Sequence, residues 1–196
     1  MADPDLEAAE ACRLARRAVD LGQDDAVALS LAGWTIGDVG RDLRAAATLT
    51  ERALALNPNL FTALFTSAWT KIWLGEPEQA LKRLTQAERL SPLDPTMFAV
   101  HAGIAHAHYH VGRLEDAAAA VERGLADQPN HPTLVRIAAA IYGMAGNQEE
   151  AKSALARVRA VYPELRVSNL HKLLGPYRAE YRERYEEGLR KAGLPE

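Results

Sequence analysis

One cysteine among 196 residues leaves no partner for an intrachain disulfide. That suits a reducing, cytoplasmic setting. Cys12 falls on a predicted helix among Leu6, Ala9 and Ala15, and reads as a packing residue rather than a reactive thiol. Aromatic residues are few, 6% against 48% hydrophobic in all, so helices must pack mainly through alanine and leucine. Neither charge sign dominates: the net charge is -3, so no strong attraction to nucleic acid or to an anionic membrane is expected. The first residues, MADPDLEAAEA, lack the apolar core of a signal peptide. The charge-free run 95–112 begins with proline and holds four histidines, which argues against a membrane span there. Phosphate loop, GxSxG elbow, CxxC pair, HExxH motif and dinucleotide fingerprint are all missing, so neither catalysis nor a cofactor is expected.

What is present is a phased pattern. Pro58, Pro92, Pro129 and Pro163 are spaced 34, 37 and 34 residues apart. Twelve residues before each stands Ala46, Ala80, Ala117 or Ala151. Five residues before each stands Ala53, Ala87, Gly124 or Val158, and seventeen before the last three stands Gly75, Gly112 or Gly146. Each slot has a physical reason. Glycine closes a helix in the left-handed conformation at little cost. Alanine permits two helices to cross closely. Proline cannot continue the preceding helix and so opens the next unit. A period near 34 with these residue types is the signature of stacked helical hairpins, the tetratricopeptide repeat (TPR). The expected fold is therefore all-α, an α-solenoid coiled as a right-handed superhelix, and such arrays build surfaces more readily than active sites.

The pattern divides the chain into a leading half-hairpin helix (1–23), four hairpins (24–58, 59–92, 93–129 and 130–163) and a helical cap (164–196). The leading string ARRAVDLG resembles a second helix, so the chain reads as beginning mid-hairpin, like a piece of a longer protein. The turn GDVGRD sets Gly40 one place out of phase. The three extra residues of the third hairpin predict a first helix one turn longer than its neighbours. In the cap, Tyr177, Tyr181, Tyr185 and Leu189 recur every four residues, a stripe suited to docking on the last hairpin.

Finer strings resemble one bacterial group. RALALNPN, WLGEPEQAL, RLSPLDP, AGIAHAHYHVGRLEDA and the terminal YEEGLRKAGLPE are similar to the C-terminal repeat regions of class III adenylate/guanylate cyclases and of related winged-helix TPR regulators. The resemblance implies a regulatory, non-catalytic region of a signalling protein, with its effector domain on the N-terminal side. It also implies a homodimerisation role as an alternative, since such cyclases generally work as dimers.

Phasing from the prolines places Trp34, Phe65, Trp69, Trp73, His106, His110 and Arg136 on the inner side of the array, where first helices line a groove. Large aromatics there suggest a surface for a protein or peptide partner, or for self-association. The competing reading is that the tryptophans fill gaps between helices. The slots that hold a carboxylate clamp in some repeat proteins carry only one cation here, Arg136, so that ligand class is not expected. The helix with His101, His106, His108 and His110 motivates a rival, a metal-dependent enzyme, but His106 and His110 face away from His101 and His108.

Overall fold

The computed structural model describes residues 3–196; residues 1 and 2 of the expected leading segment lie outside the described residues. Ten α-helices and one 3-10 helix make up the regular structure, and no strand occurs among the described residues. The chain divides into two compact units between Pro92 and Leu93. Among the described residues no helix is long and apolar enough to cross a membrane.

The first unit holds α1 (Pro4–Leu21), α2 (Ala26–Asp38), α3 (Leu43–Leu56), α4 (Phe61–Trp73) and α5 (Pro77–Leu90). Aspartates start three of these helices. The Asp3, Asp25 and Asp42 side chains accept from backbone N–H groups of the first turn, satisfying donors the helix itself cannot. Helices α2 and α3 form one antiparallel pair, α4 and α5 the next, and α1 packs on α2. Cys12 is buried, with its sulfur beside Gly40.

The second unit holds α6 (Met97–His110), α7 (Leu114–Asp127), α8 (Pro132–Ala145), α9 (Gln148–Val161), a 3-10 turn (Val167–Lys172) and α10 (Ala179–Lys191). Gly75, Gly112 and Gly146 close first helices with φ of 77°, 81° and 81°, where a side chain would be strained. The alanines twelve residues before each proline are fully buried. Gly124 leaves no space for a larger residue: a Cβ there would lie 2.6 Å from Leu134 Cδ2.

Two local expectations are corrected. In the α2–α3 turn the left-handed residue is Arg41, with φ 58°, and not Gly40. Gly40 is needed for room instead, because a Cβ would meet the Ile36 carbonyl oxygen at 2.7 Å and Cys12 Sγ at 2.9 Å. The third hairpin does not gain a helical turn: α6 has 14 residues against 13 in α4. Most of its extra length lies ahead of α6, where Asp94 Oδ1 accepts from the Thr96 N–H at 2.8 Å and folds a tight turn around Pro95. On α7, Ala120 is buried whereas Ala119 faces solvent.

The buried alanines yield a stability test. Ala80→Leu and Ala117→Leu should each destabilise the protein by about 1–3 kcal/mol through overpacking. Ala119→Leu should be nearly neutral. Urea midpoints of the three variants check this, and equal small effects would contradict the assigned crossings.

Candidate functional site

In the first unit the aromatic residues gather on α2 and α4. Residues 61, 65, 69 and 73 follow one another at four-residue spacing, so α4 presents them as one stripe. Trp34 of α2 lies against three of these rings, with centroids 5.7 Å from Phe65, 6.4 Å from Trp69 and 5.2 Å from Trp73. Phe61 stacks on Phe65 at 6.4 Å. Gly37 makes room beneath, since its Cβ would lie 2.8 Å from Ala46 Cβ and 3.6 Å from Trp73 Cζ3.

Burial divides this cluster. Trp69 and Trp73 are only 6% and 3% exposed and belong to the core. Trp34, Phe61 and Phe65 are half-buried. Beside the stripe, an ionic lattice ties three helices together. Lys71 reaches Glu76 at 2.8 Å and Glu51 at 3.6 Å, while Arg83 forks onto Glu51 at 2.7 and 2.9 Å and donates to the Ser67 hydroxyl.

In the second unit the corresponding face, on α6 and α8, is covered by the chain's own C-terminal segment. Helix α10 packs on α8. Two glycines allow that approach. A Cβ on Gly143 would collide with the Gly188 carbonyl, and one on Gly188 would collide with the Tyr109 hydroxyl and lie 2.7 Å from the Ala140 carbonyl oxygen. The segment also reaches α6. The Tyr109 hydroxyl donates to the Arg184 carbonyl at 2.6 Å, and Arg184 Nε donates back to the Tyr109 carbonyl at 3.0 Å. The Tyr177 hydroxyl and His106 Nδ1 are 3.1 Å apart. His106 stacks on Tyr185 with centroids 5.5 Å apart, and His110 meets Tyr181 edge-on at 4.6 Å.

His106 and His110, 1% and 8% exposed, therefore lie beneath tyrosines. Arg136, 7% exposed, shares this interior. Its guanidinium approaches the Tyr185 hydroxyl, yet Arg136 Nε and that hydroxyl both lack a well-formed hydrogen bond. Among the described residues no carboxylate pairs with Arg136. Both ring nitrogens of His110 are buried without a hydrogen-bond partner. His108 is set apart, half-buried with Nδ1 3.8 Å from the Asp116 carboxylate. Among the described residues, no three histidine, cysteine or acidic side chains are grouped to hold a metal ion.

Burial and nearby positive charge keep both inner histidines neutral. Desolvation holds His106 well below its usual range, helped by His110 and Arg136. Desolvation, then Arg184, pushes His110 down to about 3. The unfolded chain thus binds more protons than the folded one between the ordinary histidine range and these depressed values. Stability must fall as pH falls through that window. Moving from pH 7 to pH 5 should cost about 2 kcal/mol for His110 alone, at ~1.4 kcal/mol per pH unit. Melting temperatures across this range should show the loss, and His110→Gln should flatten the slope. A pH-independent wild type would contradict the buried, neutral placement.

The sequence pattern brought forward every residue of the first cluster except Phe61. In the second it missed Tyr109 and Arg184, and it did not anticipate that the tyrosine stripe would lie over His106, His110 and Arg136. The four-residue tyrosine spacing was the available signal, but it names a buried face and not the surface that buries it.

The tetratricopeptide repeat profile matches residues 133–164, the fourth hairpin. No curated protein sequence matches the chain. Among solved structures, the chain is similar to PilW, a widely conserved type IV pilus biogenesis factor, at 19% identity and a TM-score of 0.70, covering 90% of this chain and 81% of that one. It is similar to YrrB, a TPR protein with an unusual peptide-binding site, at 21% identity and a TM-score of 0.58, covering 86% and 84%. It is also similar to PilF of Pseudomonas aeruginosa, at 18% identity and a TM-score of 0.65, covering 91% and 76%. These likenesses establish the fold as that of stacked TPR-type hairpins.

Proposed function

We propose that this chain is a non-catalytic interaction module that binds a protein or peptide through the first-helix faces of its hairpins. One observation carries the reading. The half-buried Trp34 and Phe65 pack against two buried tryptophans, which gives a supported aromatic platform. Interface energies concentrate on such well-supported aromatic anchors. A TPR protein with a peptide-binding site among the similar folds supports it. The finer assignment, the regulatory C-terminal region of a bacterial adenylate cyclase-like signalling protein, rests on the resemblance of the sequence strings. A cyclase or winged-helix domain in the reading frame upstream would support that assignment, and an unrelated domain would overturn it.

A phage-displayed peptide library panned against the full chain tests the binding reading. Enriched peptides are expected to lose at least about tenfold in affinity on Trp34→Ala or Phe65→Ala, with helicity kept. Failure to enrich any peptide, or indifference to both substitutions, would count against it. Metal analysis of the same preparation tests the enzyme rival, which requires a bound ion.

A further inference from the structure

The face of α6 and α8 already has an occupant, and that occupant fits its shape better than its charge. Shape is satisfied closely. Gly143 and Gly188 bring α8 and α10 into backbone contact, Tyr185 and Leu189 are fully buried, and the Tyr109–Arg184 pair exchanges two hydrogen bonds. Charge is not satisfied. The groups facing this interior are His106, His110 and Tyr109 from α6, Arg136 from α8, Tyr177 from the preceding loop, and Tyr181, Arg184 and Tyr185 from α10. Two are cations; the carboxylate that reaches them, Glu187 of α10, acts on Tyr109 and pairs with Arg190 and Lys191. The Arg136 guanidinium, 7% exposed and set among His106, His131 and Tyr185, has lost most of its water without gaining a counter-charge, an arrangement that costs free energy. Arginine's fork matches a carboxylate far better than a phenol.

We propose that α10 is a built-in occupant that closes the α6–α8 face, and that the partner displacing it is an aromatic peptide whose carboxylate pairs with Arg136. The inference rests on the interaction-module reading and adds the partner's chemistry and the means of regulation. A partner with ring groups at the tyrosine positions and a carboxylate at the Arg136 position matches both shape and charge. It therefore wins against a cis helix that matches shape alone. The cis helix raises the threshold for binding, because a tethered segment competes at high effective concentration.

Two synthetic peptides spanning residues 175–196 serve as probes. One has the natural sequence. The other carries 4-carboxyphenylalanine in place of Tyr185, which keeps the ring and places a carboxylate at its tip. Binding is measured by fluorescence anisotropy to the full chain, to Gly188→Val, and to Gly188→Val combined with Arg136→Met. Gly188→Val forces α10 away without altering Arg136, His106 or His110. The carboxylate peptide is expected to bind Gly188→Val at least about tenfold more tightly than the natural peptide. Arg136→Met should abolish that preference. The unaltered chain should bind the carboxylate peptide at least about tenfold more weakly than Gly188→Val does. Equal binding of the two peptides, or equal binding by the unaltered chain and Gly188→Val, would overturn the inference while leaving library-derived ligands of the Trp34 platform unaffected. If Gly188→Val lowers helicity beyond the loss of α10, Tyr109→Phe replaces it. That variant removes only the hydroxyl bond to Arg184, and the same order of affinities is required.

Discussion

Trp73→Ala should destabilise the protein by about 3–5 kcal/mol, the range for truncating a buried tryptophan. The indole is 3% exposed and touches Trp34 and Trp69 at centroid distances of 5.2 and 6.1 Å. Gly37 and Ala46 shape the space around it, so the cavity left by truncation cannot close without moving α2 against α3. Trp34→Ala should cost clearly less, about 1–2 kcal/mol, because Trp34 is half-buried and already loses part of its ring to solvent. Urea denaturation followed by far-ultraviolet circular dichroism separates the two. Similar costs would mean that the aromatic stripe is uniformly core. The distinction bears on function, since only a residue that is dispensable for folding can be varied to probe binding.

Gly188→Val is expected to have the second largest effect, a loss of about 1–3 kcal/mol from overpacking at a backbone-to-backbone crossing. The added side chain has no free direction, with the Tyr109 hydroxyl on one side and the Ala140 carbonyl on the other. The second unit keeps four antiparallel helices without α10, so the strain is relieved most cheaply by releasing that helix. Helicity should fall by no more than the 13 residues of α10. An exposed substitution on the same helix, Arg182→Ala, should change little. Global unfolding on Gly188→Val, with no intermediate loss confined to α10, would show that the helix is part of the hairpin core.

Much of the repeated architecture could be read from residue types alone. The alanines at 46, 80, 117 and 151 and the glycines at 75, 112 and 146 recur because each hairpin meets the same packing and turn constraints. Recurrence carries no information where the constraint is local. Arg41 takes the left-handed position because Gly40 is committed to the contact with Cys12 and Ile36, a contact of α1 that no other hairpin has. The Asp94–Pro95 turn absorbs length that counting alone assigns to a helix.

The candidate site was legible to the same extent. Periodicity placed Trp34, Phe65, Trp69 and Trp73 on one face but could not rank their burial, which depends on how closely Gly33 and Gly37 draw α2 onto α3. His106, His110 and Arg136 were placed together as groove residues. Their covering by Tyr177, Tyr181 and Tyr185 depends on a non-repeating segment, and such a segment has no phase from which its partner surface can be read.

The most direct test of the account is amide hydrogen exchange across 179–191 in the full chain, alone and saturated with the 4-carboxyphenylalanine peptide. If α10 and the incoming peptide share the face of α6 and α8, the α10 amides should be protected in the free protein and exchange faster once the peptide is bound, while α8 stays protected throughout. Unchanged or increased protection of α10 in the saturated complex would contradict the account.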